Sequence, residues 1–589
     1  MSSYWKVDDT MRIGQKYISI PSENGLDYSP EQKIQLFVDP STKFMSGQDS
    51  YLEFNLKLKM PAGSVPTKLQ LDQLGGNALI RNIRIYDGSR GVLLEEIESY
   101  SSLCSVRYDY DTDDSTRNYR ALREGSGVHN IANRGTRGTS HSVMANTMSN
   151  PYFKQVSGTQ TLAGTPWNDD SFLTAKLCIP LHTGIFAQNE HIFPVMMTNG
   201  LYIEIDTPPA SEVVKQLDSV LRHRRIPLNP FFHSIDGSVA SPASWPQDAT
   251  ARGVFYVMNR NNLTGVDAVS HFPFCVGETF KFVNDLAITP ISVMSGEMKI
   301  KTIEYVPSSD DASVSLIKIT LDTNRSNNGV DSFAITSGNF VMYSTAVEDA
   351  SSYEPSYEIS NVNLVVSQIE LDPGYERGMV QKVREGKNIE LDILTATNYK
   401  NSILASDRQT TFQINAQNSR AKSLLVIPQD SSVYSAKHAI TGTGTYEILK
   451  SGDSDDGALF SNRSSLTGIC DELKDIQFQL GMRLHPSRAI DVSKIASRQS
   501  IDAFHLYQLE KTLDNAGIVP RSFRAFKDNF VFGMGFGVNQ GARDLRGEDL
   551  SVILKYTGSG IPQKGKLFNS YIVSVRRLLI GSGQVQVVF

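Results

Sequence analysis

One short segment has the residue types of a phosphate-binding loop. In GIPQKGKL, 560–567, two glycines and Lys566 have the spacing of a P-loop, whose backbone amides and lysine hold phosphates. Leu567 occupies the position of the magnesium-binding hydroxyl, and Pro562 removes an amide donor. The following residues, LFNSYIVSV, alternate as a strand does and do not open a helix. The segment therefore predicts a hairpin loop, and the glycines of GMGFG, 533–537, predict a bulge or close packing.

Two acidic segments have side chains that suit a hard cation. The first lacks the central glycine of an EF-hand, and Arg120 stands at its twelfth position. Both segments are therefore predicted to be solvated loops, with adventitious Ca²⁺ binding as the alternative. The first comprises Asp109, Asp111, Asp113 and Asp114, and the second is SGDSDDG, 451–457.

The usual catalytic patterns are missing from the sequence. The 10 histidines include no HExxH, and His182 and His191 flank a loop without a nearby cysteine, so both are expected to be structural or surface residues. There is no GxSxG elbow, and no cysteine can be paired with a histidine from spacing alone. We therefore predict no catalytic, cofactor-binding or metal-binding residues. A glycosidase pair stays open, because its two carboxylates need proximity in space and not a sequence spacing.

Composition limits the classes of molecule that the chain is expected to bind. The net charge of −6 with 20% charged residues gives no basic excess for wrapping nucleic acid, and RHRR, 222–225, is interpreted as a solvated helix end. The sequence contains no run of about eighteen apolar residues, so no transmembrane helix is predicted. The N-terminal residues lack the apolar core of a signal peptide. Widely separated cysteines argue against a disulfide framework and favour a reduced, intracellular site of assembly. They are Cys104, Cys178, Cys275 and Cys470.

Alternation of apolar and polar residues predicts strands from one end of the chain to the other. Between them lie polar segments rich in Ser, Thr, Gly, Asn and Asp, such as 111–170 and 430–465. Short strands joined by turn-rich loops predict antiparallel sandwiches and not βαβ units. The alternation is clearest in 52–59, 201–206, 317–321 and 584–589.

Three helices are predicted within this β-rich chain. Apolar residues recur at spacings of four, three and four, which predicts an amphipathic helix from about 93 to 104 that covers a sheet edge or sandwich end. Segments 208–223 and 373–386 follow strands and carry Pro near their start, and the second ends at Gly386. The recurring residues of the first helix are Leu93, Ile97, Tyr100 and Cys104.

An ordered set of segments resembles one protein family. The set comprises LFVDPSTKFMSGQDSYLEFNL (36–56), NALIRNIRIYDGSRGVLLEEIESY (77–100), IPLHTGIFAQNEHIFPVMMTNGLYIEI (179–205) and NVNLVVSQIELDPGYERGMVQKVREGKNIELDI (361–393). In this order they resemble the major capsid proteins of the double jelly-roll lineage, especially those of virophages and polinton-like viruses. Segments 412–429 and 529–583 resemble second-barrel strands of larger relatives that infect algae.

The resemblance implies an all-β fold of two jelly-roll β-sandwiches with a large β-rich insertion and a few short helices. It implies an N-terminal arm over residues 1–30 and a first jelly roll over 31–372. The insertion, at about 208–355, is the weakest match and lies before the last strand of that jelly roll. A connecting helix and the second jelly roll are expected over 373–589.

The function implied by the resemblance is that of a major capsid protein, without enzyme activity or cofactors. Pseudo-hexameric homotrimers would tile an icosahedral virus shell, contacting neighbouring capsomers, penton proteins and minor capsid proteins. The expected location is the virion, after assembly inside the host cell, and an internal membrane beneath the shell is left open. Sequence-specific nucleic-acid binding is not expected. The alternatives are a multi-sandwich glycan-binding protein or glycoside hydrolase, and a non-viral β-sandwich scaffold.

Overall fold

The computed structural model of the chain describes most of two β-rich regions and parts of the segment between them. Its described residues form six antiparallel sheets. None of the helices within them is long and apolar enough to cross a membrane. The described residues are 12–59, 67–72, 74–113, 116, 120, 123–125, 154–156, 174–187, 192–216, 225–227, 232–234, 254–259, 276, 279–284, 292–293, 298–307, 315–321, 340–344, 356–404, 407–430, 466–468, 470, 473–493, 503–521, 529–536, 541–556, 566–581 and 584–588.

The N-terminal elements follow the predicted alternation. In the strand Met45–Lys59, Phe54, Leu56 and Leu58 are buried while the residues between them are half-exposed, so one face of the strand lies in the core. In chain order the elements are β1 (Arg12–Pro21), β2 (Asp27–Tyr28), β3 (Lys33–Val38), β4 (Met45–Lys59), β5 (Thr67–Leu71), β6 (Asn82–Asp87), β7 (Leu93–Ile97), α1 (Tyr100–Tyr110), β8 (Lys154–Val156), β9 (Thr174–Pro180), β10 (Ile192–Phe193) and β11 (Leu201–Asp206).

A β-rich insertion follows β11. It opens with a short helix, continues with a strand that pairs with β5, and then forms an eight-stranded sheet of its own. The elements are α2 (Ala210–Val213), β12 (Val214–Gln216), β13 (Arg225–Pro227), β14 (Phe232–Ser234), β15 (Val254–Asn259), β16 (Thr279–Asn284), β17 (Ser292–Val293), β18 (Met298–Pro307), β19 (Ser315–Leu321) and β20 (Phe340–Ser344).

The C-terminal elements begin with a long strand that returns to the first sandwich. They are β21 (Ser356–Leu371), α3 (Pro373–Arg384), β22 (Ile389–Ile403), β23 (Gln409–Ile414), β24 (Ala421–Asp430), β25 (Leu473–Leu480), β26 (Arg483–Asp491), α4 (Ala503–Asn515), β27 (Phe532–Gly535), β28 (Leu550–Tyr556), β29 (Lys566–Gly581) and β30 (Gln584–Val588).

Strand order identifies both sandwiches as jelly rolls. The first sandwich consists of the sheets β1-β21-β4-β10, with β9 also on β4, and β3-β11-β6-β7. The second consists of β22-β29-β24-β27 and β23-β28-β25-β26. Counted along the chain, the strands of each sandwich follow the orders 1-8-3-6 and 2-7-4-5, the eight-stranded double Greek key of a jelly roll. The predicted fold class, two jelly rolls with a β-rich insertion, is confirmed.

The predicted connecting helix is present as α3. Asp372 caps it, accepting hydrogen bonds from the backbone N–H groups of Gly374 and Tyr375, and Pro373 stands in its first turn. Gly386 ends it with a positive φ of 79°. Met379 and Val383 are the buried residues of this helix, which connects β21 to β22 along the chain.

The helix predicted from about 93 to 104 is wrong in its first half. Residues Leu93–Ile97 form β7, which pairs with β6 in a hairpin, and the Arg84 and Glu96 side chains form an ion pair across it at 2.6 Å. Ser99 then takes a left-handed conformation, with φ 50°, and α1 starts at Tyr100. The hairpin partner therefore decides the conformation of Leu93 and Ile97, whose four-residue spacing also fits a helix.

Two other expectations are corrected. Segment 208–223 is helical only at Ala210–Val213, because Val214 already pairs with Leu71 of β5; residues 217–223 lie outside the described residues. The expected N-terminal arm over 1–30 is wrong for its described part, because β1 and β2 both pair with β21. Residues 12–21 therefore form the first strand of the first jelly roll.

Candidate interface between the two jelly rolls

Buried polar groups gather where the two jelly rolls meet. Here β7 and α1 of the first jelly roll pack on β22, β24 and β29 of the second, together with the loops around Leu466 and Asn529. We call this contact the seam. Almost every residue of α1 is buried, with Arg107 the exception, so the helix lies in an interior and not on a surface.

One face of α1 carries a row of polar side chains toward the second jelly roll. Ser102 Oγ accepts a hydrogen bond from Gln429 Nε2 at 2.9 Å, and Ser105 Oγ donates to the carbonyl of Leu466 at 3.2 Å. One turn further, Asp109 Oδ2 accepts from Asn529 Nδ2 at 2.7 Å. The three helix residues are three and four apart, so they share one face of the helix.

A chain of side-chain amides continues the row beneath α1. Asn569 Nδ2 donates to Gln429 Oε1 at 2.7 Å, and Asn398 Nδ2 donates to Asn569 Oδ1 at 3.0 Å. Gln429 also donates to Ser102, so the chain connects three strands of the second jelly roll with the helix of the first. Hydrogen bonding of this kind satisfies groups whose burial would otherwise cost free energy.

The edge strand β7 and the start of α1 receive hydrogen bonds from β29. Arg576 Nη1 donates to the carbonyl of Leu94 at 2.9 Å, and Tyr571 Oη donates to the carbonyl of Ser99 at 2.7 Å. An edge strand normally exposes such carbonyls to solvent. The second jelly roll therefore covers the edge of the first.

Glu95 is the buried charge at the centre of this contact. Its two carboxylate oxygens accept backbone hydrogen bonds from Gly184 at 2.6 Å and Ile185 at 3.1 Å. Burial raises the pKa of Glu95, although these donors and the positive charge of Arg576 oppose the shift. Burial likewise lowers the pKa of Arg576, while Glu95 and Glu96 oppose it. Each charge thus has its counterpart on the other jelly roll.

Backbone contact at the seam is close. A Cβ atom added to Gly184 would lie 2.7 Å from the carbonyl oxygen of Leu394 on β22. Only glycine therefore lets the loop after β9 approach the second jelly roll this closely. Glycine Gly533, within GMGFG, packs in the same way against Leu424, as predicted for glycines in a strand.

The acidic segment predicted as a loop is divided between the seam and the surface. Asp109 is buried and bonded to Asn529, and Asp111 lies 3.7 Å from Arg521 Nε. Asp113 accepts from the backbone N–H of Thr116, and Asp114 lies outside the described residues. Within the described part of the chain, no cluster of His, Cys, Asp or Glu could hold a metal ion.

The other residues that the sequence analysis considered as site candidates are partly or fully buried, lie in strands, or fall outside the described residues. His182 is partly buried, and desolvation lowers its pKa well below the usual range. Lys566 is the buried first residue of β29, so the strand predicted from Leu567 begins one residue earlier and the predicted hairpin loop is wrong for Lys566. Arg225 belongs to β13, so the helix end predicted at 222–225 is wrong for this residue. His191, 222–224, 451–457 and 557–565 lie outside the described residues.

The described cysteines are free thiols. Cys104 and Cys470 are buried and Cys178 is partly buried, while Cys275 lies outside the described residues. Burial raises the pKa of Cys104 to about 12, so its thiol is protonated and unreactive at neutral pH.

The polar side chains of the seam make contacts that join the two jelly rolls. Its carboxylates, Glu95 and Asp109, are engaged by donors of the chain itself, and the buried Glu124 is held by Arg120 and Arg123. Reasoning from sequence missed the whole seam. The one local signal was the row Ser102, Ser105 and Asp109 at helical spacing.

Comparisons with known proteins gave structural likenesses only. No family model matches the chain, and no curated protein matches it. The PBCV-1 virus capsid model is similar at 9% identity and TM-score 0.46, over 99% of this chain and 98% of that one. The Faustovirus major capsid protein is similar at 10% identity and TM-score 0.47, over 98% and 92%. The mavirus major capsid protein is similar at 11% identity and TM-score 0.35, over 99% of this chain and 92% of that one. By the strand order of its own two sandwiches, this chain is a double jelly-roll protein.

Proposed function

We propose that this chain is a major capsid protein, which forms homotrimers that tile an icosahedral virus shell. The observation that carries the proposal is the doubled jelly roll, two sandwiches of identical strand order held side by side by a buried polar seam. Three copies around a threefold axis present six similar sandwiches, and so have a nearly sixfold outline. Such units cover a flat face without gaps, and this task requires shape and attachment but no catalytic group.

The sequence resemblance supports the same role and suggests the partners. Units of sixfold outline do not fit a fivefold vertex, so we infer a separate penton protein there, with minor capsid proteins between capsomers. The proposed location is the virion, after assembly inside the host cell. The proposed domains are a first jelly roll that extends to about 372 and carries the insertion at about 208–355, and a second jelly roll from 373.

The mass of the purified full chain in solution tests this proposal. Light scattering should give three times the 65.1 kDa chain mass, unchanged on dilution, because obligate homo-oligomers bury more than about 2,000 Å². Negative-stain microscopy should show particles of nearly hexagonal outline that assemble into flat arrays or shells. A monomer at every concentration would contradict the proposal.

A further inference from the structure

Each jelly roll contains a sheet with two edge strands, and both edges are covered in the first jelly roll. The equivalent sheets are β3-β11-β6-β7 and β23-β28-β25-β26. At β3, the backbone N–H of Glu23 donates to the Gln35 carbonyl at 2.9 Å, and Asn24 Nδ2 donates to the Lys33 carbonyl at 2.6 Å. The loop after β1 therefore closes this edge, and the seam closes the edge at β7. Backbone groups of an uncovered edge would attract another strand.

The edge strand β26 of the second jelly roll is protected by its own residues. Pro486 lies within it and has no backbone N–H to offer, and a register shift interrupts its pairing with β25 between Ile476 and Phe478. Arg483 and Arg488 are both exposed. Proline, irregular pairing and charge are features that keep edge strands from pairing with other chains.

The opposite edge strand, β23, has none of these protections. It contains no proline and no charged residue, and its pairing with β28 has no register shift. The Tyr556 N–H donates to the Arg408 carbonyl at 2.9 Å, so the backbone groups of every second residue from Arg408 point to β28, and those of the residues between them point outward. None of the described residues hydrogen-bonds to these outward groups. They belong to Gln409, Thr411 and Gln413, whose side chains are exposed.

We propose that this edge pairs antiparallel with the same edge of a second copy of the chain, around a twofold axis at Thr411. In this register Thr411 lies opposite Thr411 of the second copy, and Gln409 lies opposite its Gln413. Directly opposite threonines stabilise a sheet, and no like charges lie opposite each other along the strand. The strand is thus its own complement, as a twofold contact requires.

The charged residues around the edge also match in this arrangement. Asp407, Arg408 and Lys555 lie at one end of the edge, and Asp549 lies at the other. Antiparallel pairing brings the first end of one copy beside the second end of the other. The two positive and two negative groups that meet there cancel, so electrostatic repulsion does not oppose the contact.

A twofold contact cannot build the proposed threefold trimer, so it would join two trimers. That role rests on the proposed function, whereas the pairing itself rests on β23 alone. One strand pair buries far less area than a stable interface of about 1,200–2,000 Å². A single contact is therefore weak, and its strength would come from repetition among neighbouring trimers.

Cysteine variants of the purified full chain test the pairing and its register. Residues opposite each other in the pair have Cα atoms about 5.5 Å apart, within the limit of about 7 Å for a disulfide, so Thr411→Cys should cross-link two copies under mild oxidation. Gln409→Cys is the matched control on the same exposed edge. Its copies lie four residues apart across the axis, roughly 13 Å, which is too far for a disulfide. The unmodified chain gives the background from its own cysteines.

On non-reducing gels we expect a covalent dimer for Thr411→Cys, and only background for Gln409→Cys or Gln413→Cys alone. A mixture of these last two variants should cross-link, because the register places residue 409 opposite residue 413. If Thr411→Cys gives no more dimer than the unmodified chain, or Gln409→Cys alone gives as much, the pairing is wrong. Light scattering of the unmodified chain separates the two proposals. A monomer contradicts the trimer whatever the cross-link, whereas a trimer without the cross-link contradicts only the pairing.

Discussion

The side chain of Arg576 donates a hydrogen bond to the backbone carbonyl of Leu94. Its Nη1 donates to the Leu94 carbonyl at 2.9 Å, and the two residues are 482 positions apart in the sequence. Both are buried, Leu94 on an edge strand of the first jelly roll and Arg576 on the eighth strand of the second. The seam is therefore a shared interior and not a contact between two finished surfaces.

Replacing Arg576 should destabilise the chain strongly. Arg576→Met leaves the buried Leu94 carbonyl without its donor and removes the positive charge that opposes the burial of Glu95, and an unsatisfied buried acceptor costs about 1–3 kcal/mol of unfolding free energy. Urea unfolding measures the loss. Arg577→Met is the control, because its pair with Asp392 is partly exposed and is worth about 0.5–1 kcal/mol. Equal losses in the two variants would contradict a buried role for Arg576.

The stability contribution of Glu95 should depend on pH. Burial raises its folded pKa above the unfolded value of 4.5, so the folded chain loses stability as the pH rises from there through the folded pKa. Glu95→Gln has no such loss. The stability advantage of the unmodified chain over Glu95→Gln should therefore shrink between pH 4.5 and pH 8 in denaturant titrations. An advantage that grows with pH would mean that Arg576 outweighs burial and lowers the pKa.

Two glycine substitutions should have opposite effects. Gly184→Ala places a methyl group 2.7 Å from the Leu394 carbonyl, so the seam must open or the loop must shift, at a cost of about 1–3 kcal/mol. Gly378→Ala, within α3, meets no atom within 4 Å and should stabilise the chain by about 0.5–1 kcal/mol through lower unfolded-state entropy. Thermal melting of both variants tests the pair. A Gly184→Ala chain that melts at or above the temperature of the unmodified chain would contradict the close approach at Gly184.

Local signals predicted the elements whose stabilising groups are close in sequence. The helix α3 was predicted because Pro373 and Gly386 stand at its ends, and strand β4 because alternation alone separates its two faces. The helix α4 was missed, although its buried His505, Leu509, Thr512 and Leu513 have helical spacing.

Long-range partners explain what the sequence did not reveal. Asp109 was interpreted as part of an acidic loop, because its role as an acceptor depends on Asn529, 420 residues further on. The start of α1 was set too early for a related reason. The hairpin with β6 makes Leu93–Ile97 a strand. A helix predicted over 93–104 ends before Ser105 and Asp109, so the polar row that they form with Ser102 was not recognised.

The burial of α1 also implies a delay during synthesis between the appearance of the helix and the appearance of the residues that cover it. Asn529, the donor to Asp109, is made 420 residues after it, and synthesis at roughly 5–20 residues per second takes about 20 to 80 s to cover that distance. Until then the helix that ends up enclosed has no second jelly roll to cover it. The first jelly roll therefore reaches its final form only when nearly the whole chain has left the ribosome.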